Sequence, residues 1–173
     1  MRTTSISNGD NIIGSRDVIA RLAELTSDRE DAVQKVKDAR ERLVELGAED
    51  ALTPAEVEEQ EQLTTLVESV WTTKDGTEAT DGWDEDSEDE YQALFKLDEE
   101  GSSETSEWRS GEALIRDSYF EQYAQELAED IGAIGKDTQW PLSYIDWTAA
   151  SDALQQDYSQ VDFDGVTYWI QSC

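Results

Sequence analysis

Residues 161–170 read VDFDGVTYWI and separate an α+β fold from an all-helical one. Apolar and polar side chains tend to alternate on both sides of Asp164-Gly165. An Asp-Gly pair between two such runs is typical of a β-hairpin closed by a type I′ turn. The C-terminus is therefore predicted to end in a β-hairpin.

Two helical patterns precede this hairpin. The first repeats apolar residues about four positions apart and would end at Gly132. It consists of Leu114, Ile115, Tyr119, Tyr123, Leu127 and Ile131. The second follows Asp146, a good N-cap residue, and carries Trp147, Ala150, Leu154 and Tyr158. Residues 111–173 are therefore predicted to form a helix–helix–β-hairpin module.

The N-terminal half carries a heptad pattern. Its seam is Val18, Leu22, Leu25, Arg29, Ala32, Val36, Ala39, Leu43 and Leu46, with Arg29 as the single polar member. A second helix would begin at Thr53-Pro54-Ala55-Glu56, which reads as a capping box with proline at the first helical position. The short joint predicts an antiparallel helical hairpin over residues 15–72, whose seam packs on the rest of the chain or on a second copy. Residues 1–14 are polar and expected to be flexible.

Residues 73–110 are expected to be an acidic connecting segment. Residues 72–107 hold 14 acidic residues against Lys74 and Lys96. Tyr91, Leu94, Phe95 and Leu97 can form one or two amphipathic turns there, and the Gly-Ser-Ser run at 101–103 predicts flexibility. The overall expectation is a mostly helical α+β fold.

The charge is extreme and unevenly placed. There are 42 Asp and Glu against 13 Lys and Arg, a formal net charge of −29. Residues 1–42 hold eight of each sign, and residues 43–173 hold 34 acidic and five basic groups. Such a chain repels nucleic acid and anionic membranes, so a partner should be basic. Adaptation to high salt is the alternative explanation of the acidity.

Catalytic chemistry finds little support in this composition. The chain has no histidine, its one cysteine is Cys173, and no glycine cluster precedes a lysine as in a phosphate-binding loop. The acidic run at 81–86 lacks the ligand order of an EF-hand. We therefore expect a non-enzyme without catalytic residues, metal or cofactor. Met1 to Asp10 lacks the apolar core of a signal peptide, which favours the cytoplasm.

The charge itself is the remaining functional feature. Duplex DNA carries about one charge per 1.7 Å, so 29 charges match roughly 50 Å, or about 15 base pairs. We hypothesise that carboxylates replace phosphates in the DNA-binding site of a basic protein. The candidate residues are Asp84, Glu85, Asp86, Glu88, Asp89, Glu90, Glu126, Glu129, Asp130, Asp152 and Asp157.

The C-terminal module carries a family resemblance. The run from Phe120 to Ile134, the run Tyr144-Ile145-Asp146-Trp147, and the run from Phe163 to Trp169 together resemble the C-terminal part of the ArdA antirestriction family. The resemblance covers residues 112–171. The same combination of runs is similar to one found in small proteins of actinobacterial phages. It implies a phage or mobile-element inhibitor of host defence in the bacterial cytoplasm. ArdA proteins are acidic dimers that mimic bent DNA and occupy the DNA site of type I restriction–modification enzymes.

A second hypothesis places the function in residues 15–72. The heptad seam would then hold a helical partner or form a homodimer, and the acidic part would serve as a solubilising tail. The candidate contact residues are Val18, Leu22, Leu25, Val36 and Leu43. The first 110 residues do not resemble the ArdA family. The sequence therefore leaves two alternatives, an inhibitor with the target that the resemblance implies and a helical adaptor.

Overall fold

A computed structural model describes residues 6–49, 51–80, 82–135, 140 and 142–172. The fold is α+β and mostly helical, as the sequence predicts. In chain order the elements are β1 (Ile12–Gly14), α1 (Ser15–Gly47), α2 (Pro54–Glu68), β2 (Trp71–Thr72), β3 (Glu78–Ala79), α3 (Glu85–Glu104), α4 (Trp108–Gly111), β4 (Ala113–Arg116), α5 (Phe120–Asp130), α6 (Trp147–Leu154), β5 (Tyr158–Phe163) and β6 (Val166–Gln171). Short 3₁₀ turns lie at Asp117–Tyr119, Leu142–Tyr144 and Gln155–Asp157.

The chain divides into two compact units. Unit 1 contains residues 1–21 and 93–173, and unit 2 contains residues 22–92. This division differs from the expected blocks of 15–72, 73–110 and 111–173. It differs because α1 and α3 each contribute residues to both units, which a linear reading of composition cannot reveal.

Unit 1 is built on a four-stranded antiparallel sheet in the order β1-β4-β6-β5. The predicted hairpin is β5–β6, with Phe163 paired to Val166 across the turn. Asp164 and Gly165 have φ angles of 49° and 77°, the left-handed pair that a type I′ turn needs. The Asp-Gly signal therefore identified the hairpin correctly.

The expectation of a flexible N-terminus is wrong for residues 6–14. Ile12–Gly14 forms the edge strand β1 and pairs with β4. The single proton of the Tyr168 hydroxyl is shared between the backbone oxygens of Asp10, at 2.7 Å, and Asn8, at 3.1 Å. These long-range bonds have no local sequence signal. Residues 1–5 lie outside the described part of the chain.

The module at 111–173 has the predicted helices, with two corrections. Tyr158 was assigned to the second helix, but α6 ends at Leu154 and Tyr158 begins strand β5. Leu114 and Ile115 lie in β4 and are buried, although their spacing predicted the start of a helix. The helix α5 begins later, at Phe120, and Gly132 follows it with a φ of 72°. The carboxylate of Asp146 caps α6 as predicted, accepting from the backbone N–H of Ala149 at 3.1 Å.

Unit 2 contains most of the predicted pair of helices, namely residues 22–47 of α1 and all of α2. The capping box is present: Thr53 accepts from the Glu56 backbone, and Glu56 accepts from the Thr53 backbone at 2.7 Å. The Arg42 guanidinium joins α1 to α2 through two bonds to Glu59, of 2.9 and 3.0 Å. Beyond α2, the strands β2 and β3 form a short antiparallel ladder.

The acidic segment is more ordered than expected. Its largest part is α3, a helix of 20 residues that includes the Gly-Ser-Ser run at 101–103. Leu94 and Leu97 are fully buried and anchor it. In unit 1, the Trp108 indole N–H donates to Asp98 of α3 at 2.6 Å. Within the described ranges, no helix has both the length and the apolar character needed to cross a bilayer.

Candidate interaction surface

The first predicted group of carboxylates surrounds the start of α3. The Asp84 carboxylate caps this helix and accepts from the backbone N–H of Ser87 at 2.8 Å. Hydrogen bonds from Ser87 hold the pKa of Asp84 below its usual value. Glu85 and Asp86 follow in the first turn and are exposed. Acidic groups are favourable there because the positive end of the helix dipole lies beside them.

The next predicted residues differ from one another. Asp89 is exposed, but Lys74 neutralises it at 2.5 Å. Glu90 is half-buried. The acidic surface at the start of α3 is therefore mainly Asp84, Glu85 and Asp86.

Glu88 was predicted to face a partner, and the structure corrects this. Its side chain is 1 % exposed and accepts from Arg29 Nε at 2.9 Å, Trp83 Nε1 at 2.7 Å and Gln92 Nε2 at 2.8 Å. Burial alone would raise the pKa of Glu88, but these three hydrogen bonds outweigh burial and lower it. Glu88 thus stabilises unit 2 and is unavailable to a partner.

The second predicted group includes one face of α5 in unit 1. Two neighbouring rows run along this face, each with a residue every four positions: Glu121, Gln125, Glu129 and Gln122, Glu126, Asp130. All four carboxylates of these rows are exposed. We call Glu121, Glu126, Glu129 and Asp130 the α5 acidic face. The opposite side of the helix carries the buried residues Phe120 and Ala124.

The α5 acidic face borders a shallow groove of about 760 Å³. Its lining is Ser118, Glu121, Gln122, Gln125, Glu126 and Glu129. Two donors orient Glu126: the Tyr119 hydroxyl at 2.7 Å and Gln122 Nε2 at 2.9 Å. The Tyr119 bond is the main reason that the pKa of Glu126 is lowered. Glu126 therefore offers the groove an oriented carboxylate that is ionised at neutral pH.

The axial density of charge on this face can be compared with that of DNA. Nine helical steps separate Glu121 from Asp130, which at about 1.5 Å each is about 13.5 Å. The four carboxylates over that length have a mean axial spacing of about 4.5 Å, somewhat wider than the roughly 3.4 Å between successive phosphates of one strand of duplex DNA.

Asp152 and Asp157 complete the predicted set. Asp152 lies on α6 and Asp157 ends the 3₁₀ turn before β5. Both are exposed, and neither lines the α5 groove.

The sequence prediction missed Glu121. It is exposed and its carboxylate accepts from the Thr148 hydroxyl at 2.9 Å, which links α5 to α6. The four-residue spacing of Glu121, Gln125 and Glu129 was visible in the sequence and could have identified it. The predicted helix began at Leu114, so Glu121 was taken to lie in the middle of that helix and not in its first turn.

The heptad seam is largely buried within the chain. Val18, Leu25 and Val36 are at most 2 % exposed, and Leu22 and Leu43 are half-buried. Of the alternatives considered for this seam, packing within the chain is therefore the one observed. These residues do not form a free surface for a helical partner or a second copy.

Among the described residues, no group of three or more His, Cys, Asp or Glu side chains is arranged to hold a metal ion. Comparison of the chain with protein-family models, with curated proteins and with solved structures produced no match.

Proposed function

We propose that this chain is an acidic DNA mimic that occupies the DNA-binding site of a basic host protein. The observation that carries the proposal is the α5 acidic face, whose four exposed carboxylates have a mean axial spacing of about 4.5 Å, comparable with the roughly 3.4 Å between phosphates of one DNA strand. On this proposal the chain acts by binding and performs no catalysis.

Lysine and arginine side chains that line a DNA-binding cleft would meet carboxylates in place of phosphates. Each exposed ion pair contributes only about 0.2–1 kcal/mol, so affinity must come from several pairs acting together. The net charge of −29 adds long-range attraction, which speeds association and weakens as salt increases. Oriented carboxylates such as Glu126 lose less conformational entropy when they bind.

The resemblance of residues 112–171 to the ArdA family supports a more specific form of the proposal. The partner would be a restriction–modification enzyme or another defence or DNA-processing protein of a bacterial host. The chain would then be encoded by a phage or mobile element and act in the host cytoplasm. The α5 acidic face lies inside the resembling region, so the two lines of support concern the same surface.

The experiment begins with the immobilised chain and a bacterial lysate at low salt. Bound proteins are eluted first with duplex DNA and then with high salt. We expect a DNA-binding protein in the duplex eluate, because mimicry makes the chain and DNA compete for one site. If duplex DNA elutes no protein and high salt then releases the bound proteins, the proposal is wrong.

Two variants locate the surface. E121Q/E126Q/E129Q/D130N neutralises the α5 acidic face, and E49Q/E58Q/E61Q/E68Q neutralises four exposed carboxylates in and before α2. Both reduce the net negative charge by four. We expect the first to lose capture of the duplex-eluted protein and the second to retain most of it. Equal losses would show that only the total charge matters and that α5 has no special role.

A further inference from the structure

Unit 1 exposes three large apolar side chains within five residues. Trp140 and Tyr144 are each 79 % exposed and Leu142 is 45 % exposed. Leu142–Tyr144 is a 3₁₀ turn, and the cap of α6 follows at Asp146. By contrast, Trp83 and Trp108 are at most 2 % exposed. Leaving an indole and a phenol ring in water forgoes the stabilisation that burial would provide.

Among the described residues of unit 1, the ring contacts join other side chains. Phe120 contacts Tyr158 edge-on at a centroid distance of 5.1 Å, and contacts Trp169 at 5.8 Å and Tyr123 at 5.6 Å. The segment with Trp140, Leu142 and Tyr144 also carries no phosphate-like charge, so DNA mimicry does not explain it. We call these three residues the aromatic turn.

We infer that the aromatic turn docks into an apolar recess bordered by lysine and arginine, beside the DNA-binding site of the partner protein. This inference rests on the proposed function and deepens it by describing the partner surface.

The negative charge around the aromatic turn favours a cationic partner surface of this kind. Residues 111–173 hold 12 acidic and two basic residues. Like charge would repel a nucleic acid or an anionic membrane from this region, and it would oppose association with a second copy of the chain. The acidic residues of this region attract a cationic protein surface, and an apolar recess within that surface can cover the exposed rings. Trp and Tyr are the residue types that most often dominate the energy of protein interfaces.

The aromatic turn would also supply specificity. Every DNA-binding protein presents cations, so carboxylates alone cannot distinguish one target from another. An apolar anchor adds a shape requirement, and its contribution is far less sensitive to salt than that of exposed ion pairs. Charge would bring many basic proteins to the surface, and the aromatic turn would retain the one with a matching recess.

Two defined probes separate these contributions: poly-L-lysine, which offers only cations, and a lysine–phenylalanine copolymer, which offers cations and apolar rings. Binding is measured by calorimetry in about 50 mM and about 0.5 M NaCl, where screening lengths differ severalfold. We compare the natural chain with W140A/Y144A and with the control V44A/V57A, which truncates two exposed apolar side chains of unit 2. Neither variant changes the net charge.

We expect the natural chain to bind both probes at low salt and only the copolymer at high salt. W140A/Y144A should lower copolymer affinity at high salt by about tenfold or more, while binding polylysine at low salt within about twofold of the natural chain. V44A/V57A should match the natural chain with both probes. Circular dichroism and the urea midpoint confirm that each variant is folded.

Unchanged copolymer binding by W140A/Y144A would overturn the inference. So would a concentration-dependent increase in mass at high salt that W140A/Y144A abolishes, because the occupant would then be a second copy. If instead duplex DNA elutes no protein in the capture experiment, the proposed function fails while the copolymer comparison still stands. The two failures are therefore distinguishable.

Discussion

Individual acidic residues in this chain have different roles, although the sequence presents them as one excess of charge. Glu85, Asp86 and Glu129 are exposed, whereas Glu88 is buried against Arg29 and Trp83. Arg29 also reaches Asp75 at 2.7 Å and lies 5.0 Å from the ring centre of Tyr91. This cluster joins α1, the β2–β3 turn and α3 within unit 2.

Glu88→Gln should destabilise the fold. The amide keeps the shape of the side chain but removes the buried one of the two carboxylates that pair with the Arg29 guanidinium. Loss of one member of such a pair costs several kcal/mol, and because Asp75 still contacts Arg29 we expect about 2–3 kcal/mol. Urea unfolding measures the change. Asp86→Asn, at an exposed position two residues earlier, should remain within about 0.5 kcal/mol of the natural chain. Equal effects of the two substitutions would contradict the role given to Glu88.

Asp75 should make stability depend on pH. Hydrogen bonds from Thr73, Thr77 and Arg29 hold its pKa well below the usual range. Unfolded, the same carboxylate titrates near pH 4, so its stabilising effect is complete above about pH 4 and is lost as pH falls further, because the unfolded state takes up the proton first. Asp75→Asn removes this linkage. Its unfolding free energy should therefore fall less steeply than that of the natural chain between about pH 4 and pH 2, when urea midpoints are compared. Parallel curves would contradict this assignment.

At the scale of elements, α3 shows how composition can mislead. A stretch with 14 acids looked like a connecting segment, yet most of it is one helix held by Leu94, Leu97 and the Glu88 cluster. Its glycine has a packing role: a Cβ at Gly101 would lie within 2.5 Å of Cε3 and Cη2 of the buried Trp108 ring.

Gly101→Ala should therefore destabilise the fold, although alanine is the better helix former by about 1 kcal/mol. Forcing the Trp108 ring to move in a packed site costs about 1–3 kcal/mol. Ser102→Ala, at the next and exposed position of α3, is the matched control and should be near neutral or slightly stabilising. Thermal unfolding of both variants measures the difference. A Gly101→Ala protein as stable as the control would show that Trp108 has room to move.

Elements with local signals were predictable and those that depend on distant partners were not. The capping box at Thr53, the cap at Asp146 and the turn at Asp164-Gly165 are each encoded within a few residues, and all three are present. The strand at Ala113–Arg116 exists because β1 and β6 pair with it, and residues about 50–100 positions away are invisible to a local pattern. The same limit hid Glu88, although Arg29 in an otherwise apolar seam was a sign that some carboxylate must meet it.

At the scale of the whole molecule, the charge of −29 must oppose folding by self-repulsion. Added salt screens that repulsion, so the unfolding free energy should rise between about 20 mM and 0.5 M NaCl. We expect a cooperatively folded chain even at the low end, because the buried clusters do not depend on salt. Circular dichroism with urea titration at each concentration tests this. A chain that folds only near molar salt would favour adaptation to high salt as the origin of the acidity.

The central claim is that this chain and duplex DNA bind the same site, and equilibrium competition tests it most directly. The protein recovered by duplex elution is purified and mixed with a labelled duplex of about 20 base pairs, longer than the roughly 15 that the charge could match. Increasing amounts of the chain are then added. We expect the apparent dissociation constant of the duplex to rise in proportion to the concentration of the chain, without limit, and much less so with the α5-neutralised variant. A plateau with a stable complex of all three components would show that the sites are separate and that the chain does not act as a DNA mimic.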